Sequence, residues 1–415
     1  MEEVRALEGG LAGHGGLEVE RIRADFPQLA DGYAYLDGAA GTQTPSTVIE
    51  AIANAYRRGL SNTAGHFPAS QRSDEIVAEC RRAVADLVGG APEGVVLGPN
   101  MTTLTYRMAA ALRKRWQPGD ELVVSQLDHD ADIRPWVQAA AQAGAVVRWA
   151  RVDPATGELG WEQYRELVGE RTRLVAVTAA SNLLGIRPEV KRIAELAHAV
   201  GALVYVDGVH NTPHFAVDMA ALGADFYATS AYKWCGPHVG AVVASPSLLE
   251  TLAPDKLLPS SDSVPERFEW GTPQLADLAG VTAAVDHLAA ALPQAQGTRR
   301  QRILRSMAAV EEYEQSLFRQ LLEGLGQMGH VTLYGRSAHR APTAYFAAEG
   351  RSPDEVAEHL AARHINVWSG DNYAFELVGA LGLRAAGGAV RAGLVHYNDA
   401  GDVERLLAAV RELKP

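Results

Sequence analysis

The chain has 415 residues, 47% of them hydrophobic, and a net charge of −12. That length supports two or more domains around a large core, and the apolar fraction excludes a disordered chain. The acidic balance argues against nucleic acid or an anionic membrane as partner, no apolar run approaches the roughly 20 residues of a bilayer span, and two cysteines are too few for a disulfide framework or a cysteine-rich metal site, which suits a reducing cytoplasm.

In chain order, the Gly-rich stretch up to Gly16 lacks an apolar secretory core and reads as a frayed leader. Spacing predicts a helix over 21–29, a short strand in Tyr33–Asp37, a helix over 46–58 behind Pro45, a loop over 61–70 and a helix over 73–88 ending at Gly89-Gly90. An alternation follows. Strands are predicted at 95–97, 121–125, 145–152, 174–178, 202–206, 225–229 and 239–244, with helices at 102–114, 131–143, 161–168 and 190–200. Apolar strands alternating with helices imply a mainly parallel sheet covered on both faces, with ligands at the carboxyl ends of its strands. Near Leu275 the pattern changes to long helices (276–292 and 299–325). Strands at 331–333, 343–347, 365–368 and 390–395 follow, with helices at 353–363 and 402–413, as in a smaller α+β unit.

Several strand ends carry chemistry. Asp207 closes one apolar run, and Lys233 closes the Thr229-Ser-Ala-Tyr-Lys run that comes next. An acid and an amine delivered by two such ends can serve pyridoxal 5′-phosphate (PLP): the acid pairs the ring nitrogen and the lysine forms a Schiff base with the aldehyde. The bland alternative is an ordinary strand-end Asp and a surface Lys. Gly98-Pro-Asn-Met-Thr-Thr103 joins a strand to a helix and offers backbone N–H groups and two hydroxyls to an anion; plain capping by Thr102 or Thr103 explains it equally well. There is no G-x-G-x-x-G after a strand and no G-x-x-x-x-G-K-[ST], which lowers the dinucleotide and nucleoside-triphosphate readings. Asp128-His-Asp-Ala-Asp132, with His210 and His214, is the most metal-like pattern and makes a metal-dependent hydrolase the alternative from another class. Asn182 follows a buried strand, and Arg391 opens another with a fork suited to an α-carboxylate. A turn asparagine and a salt-bridged surface arginine are the plainer readings.

In order, these segments resemble the class V aminotransferase group of fold-type I PLP enzymes, and within it the cysteine desulfurase/selenocysteine lyase branch. Tyr35-Leu-Asp-Gly-Ala-Ala is similar to that family's Y-L-D-N-A-A, Met101-Thr-Thr to its phosphate loop, and Asp128-His129 with Ile133-Arg-Pro-Trp136 to its E-H-x-A-N-I-x-P-W. Ser181-Asn182 resembles its S-N-x-x-G, Ser230-Ala-Tyr-Lys233 its S-x-H-K, Phe268-Glu-Trp-Gly-Thr272-Pro its F-E-x-G-T-P, and Arg391 with Tyr397-Asn398 its R-A-S-x-x-x-Y-N.

The resemblance implies a large domain (35–275) with a mainly parallel sheet of the seven-stranded type between helices, a small α+β domain (276–415), and residues 1–34 as leader plus a helix on the small domain. It implies PLP held by Met101, Thr102, Thr103, His129, Asn182, Asp207, His210, Ser230, Tyr232, Lys233 and, across a homodimer interface, Thr272. Lys233, His129 and Asp207 would be catalytic, with His129 stacked on the ring and His210 where Gln is commoner. Ala39, Asn182, Tyr373 and Arg391 would face an amino-acid substrate, with no metal required. Tyr232 replaces the family's histidine beside the lysine. The desulfurases' mobile cysteine falls at Tyr373, in Trp368-Ser-Gly-Asp-Asn-Tyr373, and a persulfide mechanism needs a thiolate. The expected activity is therefore β-elimination of C–S type without a persulfide-forming cysteine. Transamination is the alternative, with racemisation or decarboxylation possible on the same scaffold.

Overall fold

Mainly apolar strands can bury both faces in a covered sheet, and seven strands here make one sheet, all but its edge strand Val146–Ala150 largely buried. The computed structural model describes residues 16–413; the leader expected before Gly16 lies outside the described residues. A two-residue strand β1 (Ala34–Tyr35) is followed by β2 (Val95–Gly98), β3 (Glu121–Ser125), β4 (Val146–Ala150), β5 (Thr172–Thr178), β6 (Leu203–Asp207), β7 (Phe226–Ser230) and β8 (Gly240–Ala244). The last seven form a sheet of order β2-β8-β7-β6-β5-β3-β4. β8 runs antiparallel to both its neighbours and the remaining pairings are parallel.

Successive residues alternate between two cores. Val175, Val177, Val204 and Val206 join one cluster; Leu174, Ala176 and Tyr205 join the other. Each fully buried aliphatic side chain contributes about 1.5–3 kcal/mol, so a strand with no polar face is held from both sides. The chain then builds β9 (Val331–Tyr334), β10 (Thr343–Ala348), β11 (Ile365–Asn366), β12 (Trp368–Gly370) and β13 (Ala389–Gly393). Four of these make an antiparallel sheet of order β12-β13-β10-β9, while β11 pairs in parallel with β1. Capping boxes at Thr298/Gln301, Ser352/Glu355 and Asp399/Asp402 start the helices Arg299–Gly326, Pro353–Ala361 and Ala400–Arg411.

The structure corrects several sequence readings. The first helix is Val19–Ala24, and Pro27 starts a separate 3₁₀ turn to Asp31 because its ring cannot continue the α-helical ladder. Helix Pro68–Val88 begins inside the expected loop, with Pro68 in its first turn. The single strand expected over 365–368 divides into β11 and β12, which serve different sheets. A helix at Phe375–Ala380 was not foreseen. The helix Leu275–Ala289, read with the small unit, packs on the helices Ser46–Arg57 and Pro68–Val88 beside the large sheet. We infer that the second unit starts at Arg299. The N-terminal helix touches both: Arg21 donates to the Ala290 and Ala291 carbonyls, and Arg23 to the Tyr397 carbonyl and the Asp402 carboxylate.

Where β8 passes the loop before the helix Met101–Leu112, only glycine fits: a Cβ on Gly240 would stand 2.3 Å from the Asn100 carbonyl carbon and 2.6 Å from the Met101 nitrogen. The obstacle is backbone, so the loop itself must move. Gly240→Ala is expected to lower stability by about 1–3 kcal/mol, the usual range for overpacking, and to weaken PLP retention. Denaturant melts and cofactor content after gel filtration check both.

Candidate active site

Parallel strands end together, so the residues that follow them meet. Lys233 ends a short turn after β7 and is 9% exposed. Its Nζ donates to the Ala39 carbonyl at 2.6 Å. Burial and the Arg391 guanidinium push its amine down to about 7, with Asp207 opposing. Asp207, the last residue of β6, accepts from the Val209 N–H at 2.9 Å. Burial raises its carboxyl to about 6 despite that bond and Lys233. Both partners are thus displaced toward neutrality: loss of hydration outweighs their attraction.

His129 follows β3. Its Nδ1 accepts from the Ala131 N–H at 3.0 Å, leaving the proton of the neutral ring on Nε2. Burial, then Lys233 and Arg391, lowers it to about 3. Asp128 and Asp132 flank it, both fully buried. The Ser125 hydroxyl donates to Asp128, and Trp136 Nε1 to Asp132 at 3.0 Å. Burial raises Asp128 to about 8, helped by the charge of Asp207, and raises Asp132 well upward, helped by the charges of Asp128 and Asp207. Their remaining oxygens lack partners, so one proton shared by the two carboxyls is the arrangement that satisfies both.

Asn100, not Thr102 or Thr103, caps the helix Met101–Leu112: its side chain accepts from the Thr103 N–H at 2.8 Å. The two threonine hydroxyls are thereby spared the capping role, and both residues line the cleft. Ser230 Oγ accepts from the Met101 N–H at 2.9 Å and ties β7 to the same loop. On the far wall Arg391 is buried, and its Nη1 donates to the Asn182 carbonyl at 2.9 Å. Burial lowers it to about 10, still cationic at neutral pH. Asn182 Nδ2 donates to the Asn372 carbonyl at 2.8 Å, and the Asp130 N–H to the Tyr373 carbonyl at 2.8 Å. Asn372 and Tyr373 both adopt left-handed backbone, φ 50° and 60°, a strained pair for non-glycine residues. Tyr373 is 73% exposed and its ring stacks 5.4 Å from that of His129.

Lys233, Arg391, Asn182, His129, Tyr373, Tyr232, Thr102 and Thr103 therefore line one cleft of about 1040 Å³, with Asp207, His210, Ser230 and Met101 around its inner recess. Thr272, expected across a homodimer interface, lines a separate cavity of about 160 Å³ with Arg107, Glu269 and Trp270. Two expectations change. Ala39 offers its carbonyl to Lys233, and Ala40 is the residue that lines the cleft. The metal-like pattern does not converge: His214 bonds Glu314 at 2.8 Å, His210 bonds Thr343 at 2.9 Å and His129 faces Ala131. His238 went unnoticed in the sequence. It stacks on Tyr232 at 4.8 Å and lines both cavities, and its place after Trp-Cys-Gly-Pro was the available signal.

The donor set fits PLP. His210 Nδ1 and Asn182 Oδ1 are buried without partners, a deficit that a polar ligand removes. An amine that loses its proton near neutral pH, a buried acid and a helix N-terminus with two hydroxyls are the three features that aldehyde, ring nitrogen and phosphate need.

Fold and site together define a fold-type I PLP-dependent enzyme. The chain belongs to the class-V aminotransferase family, whose model matches residues 34–406. It is 37% identical over 397 residues to an uncharacterised protein of Mycobacterium tuberculosis, covering 95% of this chain and 99% of that protein. It is 34% identical over 406 residues to a probable cysteine desulfurase of Pseudomonas aeruginosa, covering 94% and 96%. An apo cysteine desulfurase from Thermococcus onnurineus superposes with a TM-score of 0.86 at 28% identity, covering 96% and 98%.

An amine must be unprotonated to take up an aldehyde. Covalent uptake of PLP by the cofactor-free protein, followed by absorbance, is expected to rise through about pH 7 and level off above it. A lysine at the ordinary value of about 10.4 would give a rate still climbing at pH 9.

Proposed function

We propose that the protein is a PLP-dependent lyase that breaks a Cβ–S bond of a small α-amino acid without forming a persulfide on itself. The observation that carries this reading is that Lys233 and Arg391 share a cleft lined by neither cysteine. Cys80 and Cys235 are both buried, which raises Cys80 strongly and Cys235 to about 12; neither supplies a thiolate at neutral pH.

When bound, PLP supplies the electron sink for a bond breaking at Cα. Lys233, neutral above about pH 7, accepts the Cα proton and can return it. Asp207 holds the proton at the ring nitrogen. Arg391 receives the substrate carboxylate through its fork, and its bond to Asn182 fixes the orientation. His129, neutral and flat, covers one face, and Tyr373 closes the rim. With a β-sulfur substrate, Cα loses a proton and the Cβ–S pair leaves with sulfur, which takes up a proton; water then hydrolyses the released imine, so cysteine plus water yields sulfide, pyruvate and ammonia. The same base at Lys233 suits transamination.

A two-fold dimer is part of the proposal. Thr272 lies outside the Lys233 cleft, and Leu257, Leu258 and Trp270 are exposed at 69%, 95% and 53%. No described helix is long and apolar enough to cross a membrane, and the cytoplasm is the proposed compartment.

Amino acids are screened against the holoenzyme for pyruvate, ammonia and sulfide, with the intact mass of the protein read after turnover. Elimination without added sulfur on the chain is the expected result. Sulfur on Cys80 or Cys235 would make the protein a desulfurase, and amino-group transfer to a keto acid would make it an aminotransferase. Arg391→Gln is expected to raise KM roughly 10- to 100-fold, the value of one charge-assisted contact of about 1.5–3 kcal/mol; steady-state kinetics on the substrate found decide it.

A further inference from the structure

Two residues beyond Lys233 the chain places a thiol among imidazoles. Cys235, His287 and His396 are buried, and one ligand atom from each lies within 4.8 Å of the other two. They come from three segments: the turn after β7, the last turn of the helix Leu275–Ala289, and the segment after β13. The two Nε2 atoms stand 3.3 Å apart, close to the roughly 3.4 Å between two nitrogens bound tetrahedrally at about 2.0–2.1 Å from zinc. Cys235 holds its thiol there from a left-handed backbone, φ 68°, and its N–H donates to Thr42 Oγ1 at 2.7 Å.

We propose that Cys235, His287 and His396 form a binding site for a divalent transition metal of zinc type, outside the catalytic cleft. The donor set is that of such ions: one thiolate and two neutral imidazoles, with a fourth position for water. Charge and orientation support it. Asp25 Oδ2 stands 3.8 Å from His287 Nδ1, where a carboxylate can fix the tautomer that leaves Nε2 free for metal. A +2 ion, the thiolate and Asp25 sum to zero, while the buried Glu314 carboxylate, whose charge also raises the thiol, is paired with His214 Nδ1 at 2.8 Å. The Arg21 guanidinium on this side is already engaged with the Ala290 and Ala291 carbonyls and Glu18. Phe26 walls the site, its ring 5.3 Å from His287 and 6.0 Å from His396.

Without metal the two rings bond each other at 3.3 Å and the Cys235 thiol pairs with the Thr42 hydroxyl, so an ion would replace weak bonds with strong ones. One imidazole N–H can bond the other ring, while sulfur is a weak partner. Burial lowers His287 to about 4 and His396 well below its ordinary value, so both rings are neutral and ready to ligate. Binding displaces the Cys235 proton to solvent, and affinity therefore falls as pH drops. The ion would pin the turn carrying Lys233 to two other segments.

The test is a Co²⁺ titration of chelator-treated holoenzyme. A sulfur-to-cobalt absorption band saturating at a single equivalent, reversed by Zn²⁺ and absent from Cys235→Ser, is expected. Zn²⁺ is also expected to raise the unfolding midpoint of the wild type but not of that variant. If Cys235→Ser does not fold, His287→Gln replaces it in both measurements. No band from the wild type, an equal band from the folded variant, or a wild-type midpoint indifferent to Zn²⁺ overturns the site and leaves a hydrogen-bonded histidine pair in the core.

Discussion

An amine taken out of water is the constraint to which the rest of the molecule answers. Lys233 loses its hydration behind β7 and recovers one strong bond, to the Ala39 carbonyl at 2.6 Å. That carbonyl must be held still, and the small sheet holds it: a Cβ on Gly393 would meet the Ala39 nitrogen at 2.8 Å, so β13 and the 39–40 segment touch backbone to backbone. Arg391, two residues earlier on β13, then faces the same space and lowers the amine further. The large sheet presents the lysine, and the small sheet supplies the cation and steadies the Ala39 carbonyl that set its chemistry.

The opposite wall is governed by excess acid. Asp207 lies close enough to raise Asp128 and Asp132, Asp128 raises Asp132 as well, and all three are buried. Three charges there would cost far more than the surrounding hydrogen bonds return. A proton shared between Asp128 and Asp132 lowers the total, so Asp207 can keep its charge for the ring nitrogen. Trp136, which donates to Asp132, stacks edge-on against Tyr205 at 4.8 Å, so the acid pair is locked to the core of the sheet.

Strand ends were legible because an apolar run that stops at a polar residue is a local signal. Asp207, Lys233 and Asn182 all carried it and, with Arg391 at the opening of its own apolar run, reached one cleft and its inner recess. What escaped were facts of register and packing. The carbonyl role of Ala39 depends on its approach to Lys233. The division of residues 365–370 between two sheets depends on β1 and β13 being present to receive them. The helix Leu275–Ala289 follows the last large-sheet strand and resembles the long helix after it in composition, yet its partners are Ser46–Arg57 and Pro68–Val88. Cys235, His287 and His396 share no local pattern; only the fold assembles them.

Tyr373 itself is fastened through its main chain: its carbonyl accepts from the Asp130 N–H, and its N–H donates to the Asp371 carboxylate at 2.9 Å. Its side chain carries none of that attachment and stands 73% exposed over His129. The loop therefore works as a chuck that grips the backbone and leaves the bit interchangeable. Exchange of this side chain leaves both of those main-chain bonds in place.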